Sequence, residues 1–230
     1  MKIGGSAISD KLTGESFVEE VGMRVARELD RNASFVIIQG AGYIGHRIAI
    51  ERRVSRLADN QEAWAYLRYK IAETANETLR ILISNELPVV YLPANAFITT
   101  NNGKVSWSNY DIINGYLDRG FIPFMHSDGA IDSKLGLSVL SGDAIASDIA
   151  AKLRAKMLIF GTDVDGVKMR DGRIISRIDN IDINGAEIRE IANDVSGGMQ
   201  NKILEAKNSG IEARIVNLRK DGSLSNLLRA

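Results

Sequence analysis

The chain opens with Lys2, the run Gly4-Gly5-Ser6 and, nine positions after the first lysine, Lys11. Adjacent glycines let backbone N–H groups come close to a phosphate, and lysines supply the positive charge that such an anion needs. A Gly-Gly-Ser tripeptide alone is more often an ordinary turn, so the phosphate reading depends on what later segments add. They add a second glycine loop, Gly40-Ala41-Gly42-Tyr43-Ile44-Gly45-His46, and an aspartate, Asp143, behind Ser141-Gly142. Further on come Thr162-Asp163-Val164-Asp165-Gly166 and then Gly197-Gly198, followed one turn later by Lys202. Together these are parts of a phosphoryl-transfer site, which needs positioning and positive charge more than a strong base.

Each part also has a plainer reading. A lone histidine is commonly a surface or core residue, but His46 follows a glycine loop whose exposed amides it could join in binding a phosphate. The arginines after it, Arg47, Arg52, Arg53 and Arg56, could guide anions or form a solvated face. Ser141-Gly142-Asp143 reads as a helix N-cap, or as a carboxylate that orients lysines which would otherwise repel each other. Asp163 and Asp165 fit a turn, ribose hydroxyls or the water shell of a metal. Gly-Gly before Lys202 puts amides and an ammonium on one anion if a helix starts there.

The elements that must position these residues are visible as periodicity. Met1 to Ile3 forms a very short first strand, and Phe17, Val18, Val21, Val25 and Leu29 recur at helical spacing within residues 15–29. Residues 34–38, 88–92, 121–126 and 156–160 are short, largely apolar runs of the kind buried in a parallel sheet, and 212–216 reads as a last strand. A long amphipathic helix is predicted over 61–84, carrying Trp64, Tyr66 and Tyr69 towards either an apolar pocket or the core. Asn101-Asn102-Gly103 and residues 133–136 read as hairpin turns, and 109–117, 144–153 and 224–228 as helices. Ligands of open α/β sheets collect beyond the carboxyl ends of the strands. Both early glycine loops would therefore face one crevice.

Composition narrows the classes. The 230 residues predict one α/β domain, and 29 basic residues balance 29 acidic ones, leaving no field to hold a long nucleic acid. With no cysteine there is no disulfide or thiol nucleophile, and two histidines argue against a dedicated zinc site. No apolar run reaches membrane-spanning length and no leader precedes the first strand, so a cytoplasmic protein is expected.

In order and spacing, Lys2-Ile3-Gly4-Gly5-Ser6, the second glycine loop, Ser141-Gly142-Asp143, the loop 162–167 and Asp194-Val195-Ser196-Gly197-Gly198-Met199 with Lys202 resemble the amino acid kinase superfamily. The match spans essentially the whole chain. Within it, the Gly-x-Gly-x-x-Gly-His pattern ending at His46, together with Ser9-Asp10-Lys11, is similar to the isopentenyl phosphate kinases. The resemblance implies a three-layer αβα sandwich with a central, mainly parallel sheet, with about residues 1–140 serving the acceptor and 141–230 the nucleotide. It implies ATP and Mg2+, the ion held mainly by nucleotide phosphates and water, with no protein metal site, and phosphorylation of isopentenyl phosphate to the diphosphate. Lys2, Lys11, Asp143 and Lys202 would be catalytic, and Gly40, Ala41, Gly45 and His46 would bind the acceptor. Gly4, Gly5, Ser6, Thr162, Asp163, Asp165, Gly166, Gly197 and Gly198 would bind nucleotide. A homodimer acting on small molecules, with neither nucleic acid nor membrane as partner, completes the expectation.

The pattern departs from the family at Gln39, where histidine is usual, at Tyr43, and at Ser127, where glycine is usual. The first strand is short, and the chain stops before a final Gly-Thr strand that the resemblance implies. The histidine loop is also similar to that of fosfomycin kinase, which makes a phosphonate kinase the alternative enzyme. A non-catalytic ligand-binding or oxyanion-storage protein is the alternative from another class.

Overall fold

The computed structural model describes residues 1–10, 17–43, 45, 60–187 and 198–229. Its apolar runs form a six-stranded, wholly parallel sheet in the order β12-β9-β1-β2-β6-β3. The strands are β1 (Lys2–Ile3), β2 (Ile37–Gln39), β3 (Val89–Tyr91), β6 (Ile122–His126), β9 (Leu158–Thr162) and β12 (Ala213–Asn217). Successive side chains of a strand point to opposite faces, and here both faces are covered. Ile37, Phe124, Ile159 and Val216 enter one core with α2 (Glu19–Glu28), α3 (Gln61–Ser84) and α7 (Ser223–Arg229). Ile38, Met125, Phe160 and Ile215 enter the other with α4 (Asp111–Leu117), α5 (Gly142–Lys152) and α6 (Gly198–Ser209). This is the three-layer αβα sandwich expected from the sequence.

A second sheet, ordered β5-β4-β7-β8, is built from β4 (Ile98–Asn101), β5 (Lys104–Ser108), β7 (Asp128–Asp132) and β8 (Gly136–Leu140). Asp132 accepts backbone N–H bonds from Asn102, Gly103, Lys134 and Leu135, so one carboxylate fastens both hairpin turns. The small antiparallel pair β10 (Val167–Lys168) and β11 (Ile174–Ile175) was not visible as periodicity, because two-residue strands carry none.

Some expected boundaries move. The helix expected over 15–29 begins at Glu19, so Phe17 and Val18 precede it, and a four-residue helix α1 (Gly5–Ile8) starts at the second glycine of the first pair. The long helix runs over Gln61–Ser84 as predicted, with Asn60 accepting the Ala63 N–H as N-cap.

The topology decides where a ligand can sit. Strand β1 lies between β2 and β9, so the chain leaves it towards one side and later returns on the other. That reversal opens a crevice at the carboxyl ends of the strands. The loops after β1, β2, β6, β9 and β12 all end there.

Candidate active site

A cavity of about 490 Å³ occupies this crevice. At its floor Lys2 on β1, Asp143 in the first turn of α5 and Lys202 on α6 meet. Lys2 Nζ lies 2.7 Å from Asp143 Oδ1, and Lys202 Nζ donates a 3.0 Å hydrogen bond to Oδ2. The Lys2 contact is a close ion pair at the opposite oxygen from the one Lys202 meets. All three residues are buried. Burial pushes the Lys2 ammonium down, Asp143 pulls it up and Lys202 pushes it down again, leaving it at about 8. Burial alone would raise the Asp143 carboxyl, but Lys2 and Lys202 outweigh it and hold the group at about 2. Two cations against one carboxylate leave net positive charge at the floor, which suits a polyanion.

The two readings of Ser141-Gly142-Asp143 both hold. Ser141 is the N-cap, its hydroxyl accepting the Ala144 N–H at 3.1 Å, while Asp143 faces the lysines.

The glycine loops interlock backbone on backbone. A Cβ on Gly5 would stand 2.8 Å from the Gly42 Cα, and one on Gly40 would stand 2.9 Å from the Gly5 nitrogen and 3.3 Å from Lys2 Cε. Gly42 itself has φ +68°, which glycine adopts without penalty. Ser9 joins the loops, its hydroxyl donating to Gly5 O at 2.6 Å and accepting the Tyr43 N–H at 2.9 Å. Arg219, after β12, reaches back to donate to Ser6 O at 3.2 Å and Ser9 O at 2.9 Å.

One arm of the cavity is apolar. Trp64, Leu67 and Ile71, one face of α3, pack with Ala41 and Leu137. The Trp64 ring lies so close over Gly129 that a Cβ there would fall 1.3 Å from it. Beside it Arg68 donates to both oxygens of buried Asp128, at 2.5 and 3.2 Å. Tyr66 and Tyr69, by contrast, are exposed and face away from this arm.

Of the residues singled out from sequence, Lys2, Gly5, Ser6, Gly40, Ala41, Gly45, Asp143, Thr162, Asp163, Gly198 and Lys202 line the cavity. Lys11, His46 and Gly197 lie outside the described residues. Three others do not reach the cavity wall. Gly4 packs on Gly161, donating its N–H to Gly161 O at 2.7 Å. Asp165 is paired with Lys220 and Asn217 instead. Gly166 packs against the Ile175 backbone, where a Cβ would meet the carbonyl oxygen at 2.5 Å. Sequence reasoning missed Arg68, Gly129 and Arg219 as wall residues, since their partners lie far away in the chain.

The comparisons with known proteins agree with this geometry. The chain is 30% identical to the isopentenyl phosphate kinase of Methanothermobacter thermautotrophicus, over 99% of this chain and 94% of that protein. It is 28% identical to the isopentenyl phosphate kinase of Methanocaldococcus jannaschii, over 88% and 84% respectively. A solved isopentenyl phosphate kinase structure superposes with a TM-score of 0.80 at 27% identity, covering 99% of this chain and 94% of that one. The amino acid kinase family model matches residues 1–217. With the αβα sandwich, the interlocked glycine loops and the lysine pair held by Asp143, the chain belongs to the amino acid kinase family.

Proposed function

We propose that this protein is a kinase that transfers the γ-phosphoryl group of ATP to isopentenyl phosphate, giving isopentenyl diphosphate and ADP. The observation that carries the reading is one cavity with two characters, a cationic floor at Lys2 and Lys202 and an apolar arm at Trp64, Leu67 and Ile71. A small phosphate ester with a short hydrocarbon tail matches both. An oxygen of the acceptor phosphate attacks the γ-phosphorus, the bond to the bridging oxygen breaks, and ADP leaves. The acceptor oxygen is already anionic, so no strong base is needed.

Lys2 and Lys202 neutralise charge that develops on the transferring group, and Asp143 keeps the two ammoniums side by side. Gly40, Ala41 and Gly45, with His46, hold the acceptor phosphate; Gly5, Ser6, Thr162, Asp163 and Gly198, with Gly197, hold the nucleotide. Lys11 contacts the transferring phosphates. The acceptor end is thus drawn from residues 1–140, and the nucleotide end mostly from 141–230, joined by Gly5 and Ser6. Mg2+ would be held mainly by the nucleotide phosphates and water and would supply charge neutralisation there. A homodimer goes with this reading, and light scattering on the purified protein is its test. Among the described residues no helix is long and apolar enough to cross a membrane.

The assay is direct. The protein is incubated with Mg·ATP and isopentenyl phosphate, and the diphosphate is followed by phosphorus NMR, with fosfomycin in parallel. Diphosphate formation with little turnover of fosfomycin supports the reading. Turnover of fosfomycin alone, or tight acceptor binding with no ADP formed, sinks it.

A further inference from the structure

We propose that Ser127 is a positioning residue for phosphoryl transfer, holding the first turn of α5 so that Asp143 stays between Lys2 and Lys202. The proposal rests on the reading of the site given above.

Ser127 is the single residue between β6 and β7, and it is buried. Its backbone is fixed on both sides. Its N–H donates to Gln39 O at 2.7 Å, and its carbonyl lies 2.7 Å from His126 Nδ1. A carbonyl oxygen only accepts, so Nδ1 carries the proton. Nε2 on the other side of the ring is hydrogen-bonded to the Tyr91 hydroxyl at 2.8 Å.

With the backbone so held, the hydroxyl has little freedom. Ser127 Oγ accepts the Gly142 N–H at 2.9 Å and donates towards Gln39 O at 3.3 Å. Gly142 is the first residue of α5, where N–H groups have no partner within the helix. Ser141 satisfies Ala144 from inside the chain turn, and Ser127 satisfies Gly142 from across the sheet.

The contact leaves no slack. A Cβ on Gly142 would stand 2.9 Å from Ser127 Oγ and 3.4 Å from Lys2 Cε. Ser127, Gly142 and Lys2 therefore pack as one unit, and a shift of this turn moves the next residue, Asp143, relative to both ammoniums. The Lys2 pair is the sensitive one, because Lys2 packs directly on this turn as well as pairing with Asp143.

Two readouts test this. The first is the titration of the Lys2 side chain, followed by NMR in the absence of substrates and assigned with Lys2→Arg. Among the described residues, the charged groups that act on Lys2 are Asp143, which raises it, and Lys202, which lowers it. Ser127→Ala lets Asp143 drift and is expected to lower the Lys2 midpoint by about 0.5 or more. The second readout is kinetic. kcat is expected to fall about tenfold while both KM values stay within about twofold, since the geometry lost is that of the transition state. Ser127→Thr keeps the oxygen and is expected to restore both, and Ser127→Cys, a weak acceptor, takes the place of alanine if that variant does not fold.

A Lys2 titration that overlays that of the parent, or equal losses in the alanine and threonine variants, overturns the proposal. A parent that phosphorylates no monophosphate overturns the functional reading instead, and the Lys2 titration still judges Ser127.

Discussion

Lys2 and Lys202 are separated by 200 positions in the chain, yet their ammoniums meet opposite oxygens of one buried carboxylate, that of Asp143. Removing that carboxylate leaves two buried cations uncompensated. Asp143→Asn is expected to cost about 3 kcal/mol of stability at neutral pH, the lower end for breaking a buried pair from one side. Turnover should fall as well. Urea denaturation of parent and variant checks the first, and an unchanged midpoint would mean that the lysines find other partners.

Lys202→Ala removes one of the two charges and leaves the pocket's shape largely intact. kcat is expected to fall by about 10² to 10³, with a much smaller change in acceptor KM, since the charge it meets is greatest in the transition state. Steady-state kinetics with both substrates varied would show this. Comparable turnover removes Lys202 from the chemistry.

The position of Lys2 at about 8, below its ordinary 10.5, makes activity and stability respond to pH in opposite directions. Above about pH 8 Lys2 loses its charge, so kcat should decline. Between about 8 and 10.5 the unfolded chain still holds the proton that folded Lys2 has released, so Lys2's contribution to stability rises with pH. Asp143 acts at the other end. Its depressed carboxyl stabilises the fold above about 3.8, and that stability is lost as pH falls through about 2. A pH series of kcat and of urea midpoints separates these effects, and parallel curves between 8 and 10 would contradict the assignment to Lys2.

Trp64 and Gly129 occupy one space between them. Gly129→Ala is expected to cost about 3 kcal/mol or more, because a Cβ cannot coexist with the ring in its present place. Trp64→Leu should recover much of that loss, and the double-mutant cycle should show strong coupling. Trp64→Ala alone should enlarge the apolar arm and raise kcat/KM for acceptors with longer hydrocarbon tails. Additive losses in the cycle would place the ring elsewhere in solution.

His46, outside the described residues, carries the part of the motif most specific to phosphate acceptors. His46→Ala should reduce acceptor kcat/KM by about 1.5 to 3 kcal/mol while ATP kinetics hold, the loss expected for a hydrogen bond to a charged group. His46→Asn should retain part of it. Unchanged acceptor kinetics would return His46 to an ordinary surface role.

What was legible in the sequence follows from range. Most of the parallel strands announced themselves as short, largely apolar runs, because the inner strands of that sheet are covered on both faces. The Gln61–Ser84 helix showed its limits through apolar spacing alone, and the Asn60 cap that starts it comes from the structure. Lys2, Asp143 and Lys202 were recognisable through family motifs, and so was Asp143 as the carboxylate between the lysines, because like charges brought to one crevice need an anion. The Arg68–Asp128 pair and the Ser127–Gly142 bond leave no periodic trace, since each joins loops or faces set by the tertiary fold. Gly4 reads as a phosphate contact in the sequence, while in the structure it makes a close approach to Gly161 that a side chain would block. A glycine needed for packing and one needed for a ligand look the same in a sequence.

Arg219 has a consequence for the order in which this molecule is made. It braces Ser6 and Ser9 across 213 and 210 positions, and β1 receives its second neighbour only when β9 docks. Contacts of such range are slow to form, because most of the chain must be in place before they repay the closure of the loop. On the ribosome, a chain that has emerged as far as β6 can build the α2 and α3 side of the sheet but holds an unbraced glycine loop and only one of the two lysines. Catalytic competence therefore waits for the segment after β12, which fastens the first turn that was made.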